Sequence, residues 1–265
     1  MKRHHHAIAC LLAGLSVLSA ARADDDTINP DRPNVANSSQ VVGSGRVQLE
    51  TGLNWDRQRD PDAHLRTLTT PTLLRIGVAD ALELRLETDG RTIEHASDPS
   101  SGAHAVSAGW ADFAAGVKWH LYDQDGAKPS LGVIADLLLP TGSRALHGGG
   151  FRPTLEVPAE WDLGHEWSLA MMPGVGRDTD DAGSRYTYGV LAASVGKAFG
   201  ERLHGFAEVA APQIAHAAHG GTQLQFDAGV SWLVNKDCQL DAMLVRGLHR
   251  NTPELSLAFG LSARR

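Results

Sequence analysis

Cysteine is nearly missing from this chain: only Cys10 and Cys238 occur. Cys10 falls within a stretch that reads as an export signal, so no intrachain disulfide can staple the exported protein. It also lies too early, with too little apolar sequence before it, to be a lipoprotein cysteine. Beyond the N-terminus there is no run of about 18 apolar residues, which excludes a transmembrane helix. Catalytic signatures are missing too. No Gly-x-Ser-x-Gly elbow, His-Glu-x-x-His or Cys-x-x-Cys spacing occurs, so hydrolase and zinc chemistry lack their usual marks. Gly148-Gly149-Gly150 has no helix after it to cradle a phosphate. No enzyme activity, cofactor or metal is expected. Positive charge is scarce as well. The formal net charge is −7, and it becomes −10 once Lys2, Arg3 and Arg22 leave with the signal. Nucleic acid is therefore not an expected partner, because its binding rests on Lys and Arg neutralising phosphates.

The signal spans residues 1–23. It has a basic start at Lys2 and Arg3, an apolar core from Ala7 to Leu18, and the small-x-small site Ala21-Arg22-Ala23. His4-His5-His6 belongs to its basic region. Downstream of the signal, an alternation of period two dominates the chain. Val47, Leu49, Thr51, Leu53 and Trp55 share one face of a strand, and Gln48, Glu50, Gly52, Asn54 and Asp56 share the other. Ala111, Phe113, Ala115, Val117 and Trp119 repeat the pattern. Twelve strands are expected near 46–57, 66–78, 82–92, 109–121, 129–139, 153–163, 167–177, 185–198, 203–211, 222–234, 238–248 and 254–264. Each has about ten residues, enough to cross a bilayer core when tilted. Short turns at 79–81, 122–128, 164–166, 200–202 and 235–237 alternate with connections that are mostly longer, at 58–65, 93–108, 140–152, 178–184, 212–221 and 249–253. Short periplasmic turns and longer extracellular loops are the asymmetry of a transmembrane β-barrel.

Three features bear on a barrel assignment. The apolar faces are continuous from strand to strand, for example Leu82, Leu84, Leu86 and Leu255, Leu257, Phe259, Leu261. Charge at mid-bilayer costs roughly 2–4 kcal/mol for Lys or Arg; Lys197 and Arg246 fall on this face, where a rim position would let them snorkel. Trp119, Trp161, Trp167 and Trp232 sit near short turns and Trp55 near the opposite rim, the arrangement of an aromatic girdle. Trp110 falls on the polar face by the same parity. The polar faces carry Glu50, Arg75, Glu83, Arg85, Glu87, Asp112, Lys118, Asp136, Glu156, Glu160, Glu208, Asp227 and Asp241.

The residues also resemble an outer-membrane transporter-like family catalogued under the meta-pathway of phenol degradation. The similarity begins at Asp31-Arg32-Pro33 and runs through Gly45 to Glu50, Thr70 to Val78 and Leu82-Glu83-Leu84-Arg85. Trp110 to Lys118, Pro140-Thr141-Gly142, Gln239-Leu240-Asp241 and Arg246-Gly247-Leu248 continue it. The resemblance implies a Gram-negative outer-membrane barrel that passes small, often hydrophobic or aromatic, compounds. Such barrels commonly end in an aromatic residue read by the assembly machinery; this chain ends Ser262-Ala263-Arg264-Arg265, with Phe259 inside.

Arg32 joins the thirteen polar-face residues as the lumen group. Two arrangements are open: a ring of fixed charges that selects permeants, or acids and bases paired across strands that fill a narrow interior. Acids outnumber bases, so an open lumen would favour cations or neutral solutes. Residues 24–45 lack alternation and contain Pro30, Pro33, Gly43 and Gly45. They either fold into the lumen as a plug, with Arg32 pairing inner acids, or lie in the periplasm, and residues 46–265 form the barrel. The expected partners are outer-membrane lipid, a small-molecule permeant and the assembly machinery. A non-transporting barrel for assembly or surface interaction and a soluble periplasmic lipocalin-like binder are the alternatives. His95, His104, His147, His216 and His219 are expected in loops.

Overall fold

The computed structural model describes residues 27–60, 63–144, 146–180 and 182–265; the export signal and its cleavage after Ala23 lie outside the described residues. The chain is built from β1 (Val47–Arg59), β2 (His64–Thr69), β3 (Thr72–Ala79), β4 (Leu82–Thr88), β5 (Arg91–Ser97), β6 (His104–Trp110), β7 (Phe113–Tyr122) and β8 (Ser130–Leu139). It continues with β9 (Arg152–Glu156), β10 (Ala159–Gly164), β11 (Trp167–Thr179), β12 (Arg185–Phe199), β13 (Leu203–Ile214), β14 (Gln223–Asn235), β15 (Cys238–Gly247) and β16 (Leu255–Arg264). Every pairing is antiparallel, and β16 returns to β1 over Gln48↔Arg264 to Arg57↔Leu255, which closes the sheet on itself.

Four pairs of segments are halves of single bent strands: β2 with β3, β4 with β5, β6 with β7, and β9 with β10. Both β2 and β3 pair with β1, and both β9 and β10 bridge β8 and β11. Pro71 and Pro158 sit at two of the breaks, where a residue without an N–H must leave the ladder. Counted by crossings, the fold is a closed twelve-stranded antiparallel transmembrane barrel. Closure leaves no unpaired seam for hydrocarbon to solvate, the condition for strands to span a bilayer.

The other two breaks form one bulge. Leu68 pairs with Ile93 and Thr72 with Thr88, so five residues on β4–β5 oppose four on β2–β3. Gly90, at φ +66°, takes up the extra residue. β6–β7 stays in register with β4–β5 across the bulge, Thr88 facing Phe113 and Arg91 facing Trp110, so the two strands change face together. A one-residue slip exchanges the two faces of everything beyond it. Trp110 consequently points outward, 58% exposed, and its polar-face assignment is corrected. The same inversion conceals strand beyond the bulge. Residues 91–97 and 104–110 pair as a hairpin, leaving only 98–103 as the connection where 93–108 was expected, and His95 and His104 belong to strands.

The outer wall is apolar and open to the surroundings at Val47, Leu49 and Leu53, at Leu84 and Leu86, and at Leu257, Phe259 and Leu261. Trp119, Trp167 and Trp232 are exposed on it, while Trp55 and Trp161 are half-buried. Lys197 lies at the short-turn rim, its Nζ 4.9 Å from the Trp167 ring centre and bonded to the His165 carbonyl at 3.0 Å. Arg246 lies at the other end and bonds Glu254 at 3.2 Å.

Candidate functional site

The lumen holds the N-terminal segment. Residues 27–45 enter at the short-turn end, where Ile28 N donates to Lys236 O at 2.7 Å, and leave beside Gly77, whose missing Cβ makes room for the Gly43 carbonyl. In between, the segment has no regular secondary structure of its own, so its backbone polar groups need partners inside the barrel. The wall supplies them with charge. Glu50 accepts from Asp31 N and Arg32 N at 3.0 Å each. Glu208 accepts from Val35 N at 2.8 Å and Ala36 N at 2.9 Å. Glu160 accepts from Ser39 N at 2.6 Å, and Glu83 from Val42 N at 2.9 Å. Wall cations serve the opposite groups: Arg75 donates to the carbonyls of Asn29 and Gln40 at 3.0 and 2.8 Å.

Asp31 is the hub. Arg85 Nη1 reaches its carboxylate at 2.6 Å, Lys118 Nζ at 2.6 and 2.8 Å, and Arg75 Nη1 stands 3.6 Å away. Arg75 also holds Glu83 at 2.8 Å and Glu50 at 3.0 Å, completing a network across β1, β3, β4 and β7 with the segment at its centre. Arg32 pairs with Asp241 at 3.2 Å. Its guanidinium lies flat on the wall at Gly52 and Gly260, where a Cβ would come within 2.7 and 2.4 Å of it. Further along, Ala36 packs with Met172, Val190, Ala192 and Ala210, a patch of mostly small side chains that lets the segment approach β11–β13.

The sequence-derived lumen residues therefore separate into groups. Glu50, Arg75, Glu83 and Lys118 are 0% exposed, and Arg85, Glu208 and Asp227 are buried as well. Charges so enclosed meet the segment and one another. Glu160 faces a cavity of about 520 Å³ at the short-turn end. Glu87, Asp136 and Glu156 face a second, of about 500 Å³, at the long-loop end, with Tyr188, Val35 and Leu138 in its walls. Asn34 borders both cavities, and its Nδ2 donates to Ser194 Oγ at 3.1 Å. Among the described residues no group of three His, Cys, Asp or Glu is placed to hold a metal.

Asp112 does something else. Its carboxylate accepts from Gly142 N at 2.6 Å and Gly148 N at 2.8 Å, and it pairs with Arg152, so it ties down the 140–151 loop. Asp112→Ala should free that loop while the barrel stays closed, because orphaned buried N–H groups cost about 1–3 kcal/mol. Faster amide exchange confined to residues 140–151 is the expected readout; unchanged exchange there would remove this role.

Sequence alone does not reveal Asp31 as the centre of the network. Nor does it reveal the role of the glycines at 52, 77 and 260, which fall on inward positions and leave space where a barrel wall would ordinarily carry side chains. Those inward glycines are the available signal.

Similarity to known proteins agrees with this architecture. An outer membrane channel from Pseudomonas putida F1 superposes with a TM-score of 0.64 at 14% identity, covering 86% of this chain and 98% of its own. The β-domain of a Bordetella autotransporter gives 0.54 at 13% identity, covering 83% and 99%. The translocator domain of the autotransporter NalP from Neisseria meningitidis gives 0.53 at 10%, covering 82% and 87%. At these identities the likeness is one of fold. No curated protein sequence matches. Residues 30–264 match the model of one family, from the Asp31 hub to the last strand, and the chain belongs to that family, described as "Putative MetA-pathway of phenol degradation".

Proposed function

We propose that the protein is an outer-membrane channel through which small, hydrophobic or aromatic, compounds diffuse, and that it carries out no chemistry of its own. One observation carries this reading: a closed transmembrane barrel whose lumen keeps a cavity on each side of its own N-terminal segment, both touching Asn34. A purely structural barrel of this girth could fill its interior with side chains. Here the interior is filled by a separate strand of chain held by polar contacts, which can be displaced without breaking the wall. The family's description in terms of phenol degradation supports a small aromatic permeant, as does the mixed lining of Tyr188, Val35 and Leu138 beside carboxylates. The long-loop end faces the exterior and the short turns face the periplasm. Insertion relies on the outer-membrane assembly machinery.

Swelling of proteoliposomes tests the reading. Liposomes holding the protein should admit small aromatic solutes faster than protein-free liposomes, with disaccharides entering at the protein-free rate. If every solute entered at the protein-free rate, transport would be lost as the function and a non-transporting barrel would remain.

A further inference from the structure

Outside the barrel, above the apolar wall, the β1–β2–β5–β6 face carries an unusual cross-strand pattern. Arg57 stands directly opposite Arg66, and Arg66 opposite His95. Arg59 stands opposite His64. Like charges in register across strands are destabilising, so the pairing of Arg57 with Arg66 needs a reason. Their face is fixed by the rung below, where Trp55 pairs with Leu68 and Leu68 with the outward Ile93. Two residues along a strand is about 7 Å, which puts the guanidinium groups just beyond the hydrocarbon boundary.

This face is concave, with a cavity of about 810 Å³. Its lining includes Arg57, Arg59, Arg66, His64, His95 and His104 and, among the described residues, no carboxylate. Two described acids stand near it: Glu254 sits to the side, 3.5 Å from Arg57 and 3.2 Å from Arg246, and Asp60, beside Arg59, accepts from Gln58 Nε2 at 2.9 Å. The bond from Arg246, with Arg57 and Arg59 adding charge, holds the Glu254 carboxyl below the usual range. Arg59 and Arg66 make no ion pair with any described residue.

We infer that this concave basic face binds the phosphate groups of an outer-leaflet glycolipid of the lipid A type. Charge complementarity requires an anion, and arginine forks suit phosphate oxygens. Continuity with the lipid-facing wall selects the source: at this height the surrounding phase is the headgroup layer of the outer leaflet. The inference rests on the membrane orientation proposed above but not on transport, so the swelling assay and the experiment below can fail separately.

The test uses the full exported chain in detergent micelles, with native mass spectrometry counting bound bisphosphorylated lipid A. The wild type should retain it, and the monophosphorylated form should bind more weakly. The double variant R59Q/R66Q should bind roughly 10- to 30-fold more weakly, whereas R177Q, an exposed arginine on β11, should bind as the wild type does. Heat-modifiable migration on gels checks that each variant is a folded barrel. Equal binding by wild type and double variant would overturn the inference, as would equal loss in R177Q. Displacement of the lipid by millimolar inorganic phosphate would reassign the site to a soluble anion and would overturn the choice of a lipid.

Discussion

Asp31→Asn should open the lumen. The variant should show single-channel conductance several-fold above that of the wild type, together with protease access to residues 27–40, while heat-modifiable migration stays intact. The reason is the number of cations that depend on one carboxylate: Arg85 and Lys118 in direct contact at 2.6 Å, and Arg75 at 3.6 Å. All three are buried. Removing one member of a buried ion network costs about 3–5 kcal/mol, because the remaining charges lose their partner but not their desolvation. In the variant that cost is relieved by the segment leaving and water entering. The gap corresponds to a rise of about a hundred-fold or more in the population of the displaced state, at tenfold per 1.4 kcal/mol. The barrel does not share the loss, since its strands pair through backbone groups that Asp31 does not touch. Asp31→Glu keeps the charge and should recover most of the wild-type closure. Wild-type conductance in the Asn variant would mean that the remaining contacts, chiefly those of Glu50 and Glu208 to the segment's N–H groups, hold it alone.

The wall is far more legible in the sequence than the segment it encloses. Alternation such as Leu82-Glu83-Leu84-Arg85 specifies both faces of a strand at once, and the short turns at 80–81, 165–166 and 236–237 set the chain direction. Together they yield twelve crossings. The failures share one cause. An extra residue at Asp89-Gly90 inverts the faces beyond it on two strands, so Trp110 reads as inward and the hairpin of His95 and His104 reads as loop. Periodicity has no way to report a slip except through its own interruption, and Gly90 is the only mark it leaves. The lumen is harder for a different reason. Glu50, Glu83 and Glu208 are recognisable as inward acids, but nothing about a strand says that its acid will accept a backbone N–H from residues 31, 35 or 42. Those partners lie in a segment without periodicity, and the contacts span separations such as the 209 residues between Arg32 and Asp241.

Deleting residues 27–40 should give the largest change of all, and one of a different kind from Asp31→Asn. The deletion takes away every described backbone N–H held by Glu50, Glu160 and Glu208, and the carbonyls held by Arg75. It also takes Asp31 and Arg32 together, so the segment's own charges cancel in the loss. The bared wall keeps Glu50, Glu83, Glu160, Glu208 and Asp241 against Arg75, Arg85 and Lys118. Acids prevail, and in a water-filled lumen a ring with an excess of carboxylates favours cations. The expected result is a conductance several-fold above wild type with a reversal potential on the cation-selective side in a salt gradient. Asp31→Asn, by contrast, removes an acid and leaves Arg32 and the three wall cations in place, so its open state should be less cation-selective than the deletion's. An unchanged conductance in the deletion would show that the segment does not obstruct the lumen. A higher conductance with anion selectivity would keep the obstruction but deny the wall carboxylates their role. The two variants together separate obstruction by the segment from selection by the wall, because both lose the Asp31 carboxylate and only the deletion also takes Arg32 away from the wall carboxylates.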